Sequence, residues 1–257
     1  MIPLGDDTPT VRVPAATYWL IAINFAVWIF YQHGGVPPEY LAKTVCNTGM
    51  VPGELTHLAP LGTAVPMGMA ANGQQLACSV DNDPINILTP LISMFLHGGW
   101  LHIMANMLYL WVFGKSVEDG MGRLRFVAFY LICGLVAAAT HIAFNPASPI
   151  PTVGASGAIS GVMGAYLVLY PRAWVKMFFI IFIIRFPAWL VLIWWFLTQA
   201  LAGVSQLNVI NPDASSSVAV WAHVGGFIAG AILAKFFVNP DLMRLRNYRL
   251  SRRTVSP

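Results

Sequence analysis

Four side chains in this apolar chain have the types and spacing for acyl transfer. Ser156 lies in Gly154-Ala155-Ser156-Gly157, and His223 lies in Ala222-His223-Val224-Gly225-Gly226. A serine hydroxyl is a weak nucleophile until a base takes its proton. An imidazole near its ordinary pKa does that and later returns the proton to a leaving amine. His102 and Asn106 stand at i and i+4, so on a helix they share a face. Attack on an amide creates an oxyanion that needs donors. Asn106 offers its amide and His102 a ring N–H. Ser156 opens an apolar helical stretch, so its own backbone N–H is unpaired and sits near the positive end of the helix dipole. No Asp or Glu falls within an apolar stretch. Ser156 and His223 therefore form a dyad, with packing or a hydrogen bond orienting the imidazole where a triad uses a carboxylate.

The elements that must position these groups are read from composition and periodicity. Apolar residues make up 57% of the 257 residues and charged residues 9%, far below the roughly 25% charged of a soluble domain. Lipid is the expected solvent for much of the surface. The net charge of +4 sits beside apolar segments without forming a basic patch, so nucleic acid is not an expected partner. The expected membrane helices are Thr17–Gln32, Leu101–Phe113, Phe126–Phe144, Ser156–Tyr170, Pro187–Leu207 and Val220–Val238. Several fall short of the ~20 residues of a full span. No cleavable signal is evident, and the first apolar stretch is expected to be a retained helix. Trp174–Phe186 is also apolar but is broken by Lys176, Arg185 and Pro187. An interfacial hairpin, the first turns of the fifth helix and a seventh span are all open for it.

Charge sidedness favours six crossings. Arg12, Lys115, Arg123, Arg125, Arg172, Lys176, Arg185, Lys235 and the Arg-rich tail fall on one side, and only Lys43 falls on the other. The positive-inside rule then puts both termini in the cytoplasm. This gives a short cytoplasmic segment over 1–15, a membrane domain over 16–238 and a basic tail over 239–257. The connection 33–86 faces outward and contains Cys46 and Cys78. An oxidising exterior permits a bridge between them, and two unpaired thiols are the alternative. Cys133 is expected to be a small packing residue.

At ~1.5 Å rise per residue, His102, Ser156 and His223 lie ~20, ~24 and ~18 Å above Lys115, Arg172 and Lys235, a shared level below the outer face. Gly157 and Gly161 stripe the fourth helix, and Gly226 and Gly230 follow His223 on its own face. Small-xxx-small spacing lets helix backbones approach closely, which would bring Ser156 and His223 together. His97, His102 and His223 could in principle hold a metal, but no intramembrane carboxylate or thiolate supports one. A histidine-lined transporter is a further reading, and no inverted repeat supports it.

These residues resemble the rhomboid family of intramembrane serine proteases. The resemblance rests on His97-x4-His102-x3-Asn106, Gly114-x3-Glu118-x3-Gly122-Arg123, Gly154-Ala155-Ser156-Gly157 and Ala222-His223-x2-Gly226-x3-Gly230. It runs from about Ser93 to Lys235. It implies an all-α, six-helix membrane bundle with no cofactor and no metal. It implies Ser156 as nucleophile and His223 as general base, then acid, with His102, Asn106 and the Ser156 N–H on the oxyanion. Implied substrates are single-span membrane proteins cut in or near the bilayer. A proteolytically inactive rhomboid-like binding factor or chaperone is the alternative. His97 has a structural role in the family. Glu118 and Arg123 are expected to pair at the cytoplasmic turn. Some members carry a Trp-Arg pair in the first loop and a Tyr one turn after the nucleophile. Here those positions read Leu88-Thr89 and Ser160, so an aromatic shelf under His223 does not carry over.

Overall fold

Apolar, helix-forming stretches dominate the chain, and the computed structural model describes them over residues 2–179, 181–207 and 219–255. A strand, β1 (Ile2–Asp6), precedes α1 (Ala15–Ala26), which continues into a π-helical turn over Val27–Tyr31. The connection that follows holds α2 (Pro38–Thr48), α3 (Pro52–Thr56), the hairpin β2 (Ala64–Met69) and β3 (Gln75–Ser79), and short α4 (Thr89–Ile92). Next come α5 (Trp100–Tyr109), a π-helical turn Leu110–Gly114, α6 (Lys115–Met121) and α7 (Arg123–Phe144). Then follow α8 (Ser156–Leu169), the hairpin β4 (Trp174–Phe179) and β5 (Phe182–Pro187), α9 (Ala188–Leu207), α10 (Val220–Phe237) and α11 (Pro240–Val255).

Among the described residues, three helices are long and apolar enough to cross a bilayer: Arg123–Phe144, Ala188–Gln206 and Val220–Phe237. The pair Pro84–Phe95 and Trp100–Met121, bent by 73°, makes a fourth candidate. Ala15–Tyr31 and Ser156–Leu169 are apolar but shorter. The chain is a multi-pass membrane protein. At 14 residues, α8 is ~21 Å long, short of a ~30 Å hydrocarbon core. It tolerates that because Gly157 through Tyr166 are all buried, so protein rather than lipid surrounds it.

The tightest contact in the bundle is between α8 and α10. A methyl group added at Gly226 would collide with the carbonyl of Gly157, and one at Gly230 with the carbonyl of Gly161. Only glycine lets the two backbones meet this closely. Cys133 is buried on α7, and a Cβ on Gly161 would lie 2.5 Å from its Cβ, so the thiol side chain packs against α8.

Two expectations need correction. The fold is mostly helical, not all-α, because five strands form among the described residues. Trp174–Phe186 is one source of them. Val175 and Met177 are buried while Trp174, Lys176 and Phe178 are exposed. That two-residue period makes a strand, not a helix. The strand β4 lies between β1 and β5, antiparallel to both. The second correction concerns Glu118. Its carboxylate accepts from the backbone N–H of Ala16 and Thr17 and from Thr17 Oγ1, at 2.7–3.0 Å. Glu118 therefore caps the N-terminus of α1, where unpaired donors and the helix dipole favour an anion. Arg123 is exposed and makes no ion pair with it.

At the same end a buried polar network ties both termini to α6. Asp6 pairs with Lys115 at 2.8 Å and accepts from Tyr166 Oη and Ser116 Oγ. Asp119 takes Arg12 at 3.0 Å and Arg246 of α11 at 3.3 Å.

Cys46 of α2 and Cys78 of β3 form a disulfide. It joins the β2–β3 hairpin to the helix that begins the 33–86 connection.

Candidate active site

The close approach of α8 and α10 brings the first residue of one beside the first turn of the other. Ser156 Oγ lies 2.8 Å from His223 Nε2. On the far edge of the ring, Nδ1 lies 2.8 Å from Gln199 Oε1 of α9. An amide oxygen only accepts, so Nδ1 carries the hydrogen and Nε2 presents its lone pair to the serine hydroxyl. The ring is held in the tautomer that a base needs. Trp195, one turn before Gln199, stands 5.8 Å from the imidazole centroid to centroid. It supplies an aromatic neighbour from α9, where Ser160 cannot. Ser160 Oγ instead donates to the Ser156 carbonyl at 2.6 Å.

His102 approaches from the other side. The Gly98 N–H donates to its Nδ1 at 3.3 Å, which leaves the hydrogen of a neutral ring on Nε2. That Nε2 faces Gly154. A Cβ built on Gly154 would sit 2.9 Å from His102 Nε2 and 3.7 Å from Ser156 Oγ. Gly154 has φ +131°, so this position excludes a side chain by conformation as well as by space. Asn106 Nδ2 donates to the His102 carbonyl at 3.0 Å and keeps a second hydrogen. Ser156 opens α8, so its N–H has no intrahelical acceptor.

The irregular chain before Ser156 is held by its backbone. Gly154 N–H donates to Ser93 O at 2.9 Å, and Thr152 exchanges backbone bonds with Met50. Irregular backbone within a membrane protein is tolerated where it lines a cavity. The cavity here is about 830 Å³. His102, Asn106, Ser156, His223 and Trp195 line it. Val65, Pro66 and Met67 of β2 line it from the 33–86 connection.

All four chemically selected residues thus share one cavity. His97 is buried beside them, its ring 5.1 Å from that of His102. Its backbone is clamped by both ends of the Gln32 amide at 2.8 Å. Gln199 was not foreseen: one amide in an apolar helix carries no motif, and its distance from His223 appears only in three dimensions. His141 of α7 is a second unforeseen neighbour. Its Nε2 lies 3.2 Å from Thr152 Oγ1 and braces the strand-like segment that precedes Ser156. Among the described residues, no three His, Cys, Asp or Glu side chains group as a metal site.

Residues 84–240 match the family model described as Rhomboid domain, more than half of the chain. RHOMBOID-like protein 5 of Arabidopsis thaliana is 35% identical over 141 residues, covering 54% of this chain and 40% of that protein. Rhomboid protease GluP of Bacillus subtilis (strain 168) is 42% identical over 81 residues, 32% of this chain and 15% of that protein. Rhomboid protein 1, mitochondrial, of Saccharomyces cerevisiae is 27% identical over 168 residues, 62% of this chain and 44% of that protein. The chain spans less than half the length of each of these relatives.

Proposed function

The chain belongs to the rhomboid family, and from that premise we propose that it is an intramembrane serine endopeptidase. It cuts membrane proteins in or near their transmembrane segments. Six helices cross the cell's inner membrane, both termini lie in the cytoplasm, and the 33–86 connection faces outward. The basic residues Lys115, Arg172 and Lys235 lie on the cytoplasmic side.

The observation that carries this reading is the 2.8 Å contact between Ser156 Oγ and His223 Nε2, with Gln199 on the opposite ring nitrogen. Ser156 Oγ attacks the scissile carbonyl as His223 Nε2 takes its proton. The carbonyl oxygen gains the negative charge, and the His102 Nε2–H, the Asn106 amide and the Ser156 N–H donate to it. As the tetrahedral species collapses, the imidazolium gives its proton to the departing amine and the acyl group stays on Ser156. A water then attacks the ester with His223 again as base, and the carboxylic product leaves with Ser156 restored. Gln199 accepts from Nδ1–H throughout and stabilises the imidazolium without taking a proton.

The test uses full-length protein reconstituted with a single-span substrate. Wild type cleaves it, a serine-directed fluorophosphonate probe labels Ser156, and Ser156→Ala and His223→Ala do neither. Equal cleavage by Ser156→Ala would remove the reading. Absence of both labelling and cleavage in wild type would leave a rhomboid-like binding factor.

A further inference from the structure

The three-stranded sheet at the basic end carries a face that the rest of the chain leaves uncovered. Val175 and Met177 point into the core, and Trp174, Lys176 and Phe178 point away from it. The register places Ile2 and Ile183 on either side of Phe178. Directly opposed residues in antiparallel strands share a face, so these three form one apolar row. Ile2 is 47% exposed, Phe178 38% and Ile183 63%. Ile181 and Phe182, at the turn of the hairpin, are 75% and 62% exposed.

The same face carries an unusual charge pair. Arg185 is directly opposite Lys176, and like charges so placed destabilise a sheet unless an anion joins them. Across the other edge, the partner of Lys176 is Gly5, which brings no countercharge. The nearest acids of β1 and its continuation are committed. Asp6 serves Lys115, Tyr166 and Ser116, and Asp7 Oδ1 accepts from the Trp174 N–H. Among the described residues, neither Lys176 nor Arg185 has an acidic partner. Arg172, just before β4, is also exposed.

The sheet is fixed to the bundle. Ala188 N–H donates to Ala173 O at 2.8 Å, and Trp189 N–H to Pro171 O at 3.1 Å. The hairpin thus follows α8 after four residues, two of which are bonded to the start of α9, and it runs directly into α9, a candidate span. Trp174 and Trp189 are exposed at this junction, the residue type that collects at the headgroup level.

We propose that this sheet face docks on the bilayer and binds an acidic phospholipid. Lys176 and Arg185 take the headgroup phosphate, and the Ile2–Phe178–Ile183 row lies against the acyl chains. The face is charge-complementary to an anionic leaflet, and its apolar row would be unfavourable in water. The site is independent of the proposed peptide-bond cleavage.

The experiment is native mass spectrometry of the full-length protein released from detergent. Dioleoylphosphatidylglycerol and dioleoylphosphatidylcholine are supplied at equal concentration. Wild type retains the phosphatidylglycerol preferentially. Lys176→Gln with Arg185→Gln lowers that preference by roughly 10–30-fold, as expected for removing two basic groups at a lipid surface. The exchange of Lys176→Arg with Arg185→Lys keeps it. Inorganic phosphate at the same concentration does not displace the lipid. Equal retention of both lipids by wild type, an undiminished preference in the Gln variant, or displacement by phosphate would overturn the proposal. Both substituted positions are exposed, and matching thermal unfolding of the variants separates lost binding from lost fold.

Discussion

Gln199 Oε1 lies 2.8 Å from His223 Nδ1, on the opposite side of the ring from Ser156 Oγ. The amide occupies the place that a carboxylate holds in a Ser-His-Asp triad. It fixes the ring and its tautomer without placing a second charge in a low-dielectric bundle, where an unpaired carboxylate would cost several kcal/mol. The apolar helices thus favour a neutral group at this position of the proposed site.

Gln199→Leu removes the acceptor and keeps the approximate volume. The ring loses its orientation and its preference for the Nδ1–H tautomer. We expect kcat to fall ~10–100-fold with KM little changed, at the lower end of what a misdirected base costs. Gln199→Glu keeps an acceptor oxygen but brings in the charge that the apolar bundle disfavours, so it should recover only part of the loss. Steady-state kinetics on the reconstituted substrate separates kcat from KM. Unchanged kcat in Gln199→Leu would show that the contact does not position the base.

Asn106→Ala removes one donor from the proposed oxyanion site. The substitution should slow cleavage by ~10²–10³-fold, the usual effect of one such donor. Substrate binding in the ground state should be nearly intact. A rate equal to wild type would take Asn106 out of the reaction and leave only its bond to the His102 carbonyl.

How much of this was legible in the sequence differs from residue to residue. Ser156, His223, His102 and Asn106 are conspicuous because polar groups in apolar helices need a reason. Their meeting follows from glycine spacing on α8 and α10. Gln199 could not be found that way, since a single amide on α9 has no partner visible along the chain. The sheet was hidden for a different reason. The two-residue alternation of Trp174–Phe178 is short, and its partner β1 lies more than 160 residues away in sequence. The role of Glu118 was misjudged because sequence proximity pointed to Arg123, whereas the unpaired N–H groups of α1 lie about 100 residues upstream.

Gly226→Ala and Gly230→Ala should each destabilise the bundle strongly. The added methyl meets the carbonyl of Gly157 or Gly161, which is backbone and has little room to move. Overpacking costs about 1–3 kcal/mol when side chains can yield, and these two belong at or above the top of that range. Ile228→Ala and Ile232→Ala, on the exposed side of the same helix, should change little. Thermal unfolding in detergent distinguishes the two pairs. Similar melting temperatures for all four would contradict the backbone contact.

The Cys46–Cys78 bridge closes a loop with a sequence separation of 32. In the chain-entropy account such a loop contributes about 3–4 kcal/mol. Cys46→Ser with Cys78→Ser should therefore lower the melting temperature and expose the β2–β3 hairpin to added protease. Cys133→Ser tests a different environment, a buried thiol with no bridge. Added reductant should reproduce the double variant in wild type and leave the double variant unchanged. Equal protease resistance with and without the bridge would mean that the hairpin is held by α2 packing alone.

Glu54, in the 33–86 connection, gives a pH dependence of determined sign. Burial raises its pKa, and the Asp81 charge adds to that, while the Asp81 N–H bonded to Glu54 Oε1 at 3.1 Å opposes it. A carboxyl whose pKa is higher folded than unfolded binds its proton more tightly in the folded state, so stability falls as pH rises through that interval. Below the unfolded pKa both states are protonated and the cost is absent; above the folded pKa it is complete. Glu54→Gln removes the titration and keeps a hydrogen-bond acceptor for the Asp81 N–H. The variant should melt higher than wild type at pH 7 and converge with it near pH 4. Melting curves between those limits check this. A variant that melts lower than wild type at pH 7 would show that the ionised carboxylate, through its bond to Asp81 N–H, stabilises the connection despite its burial.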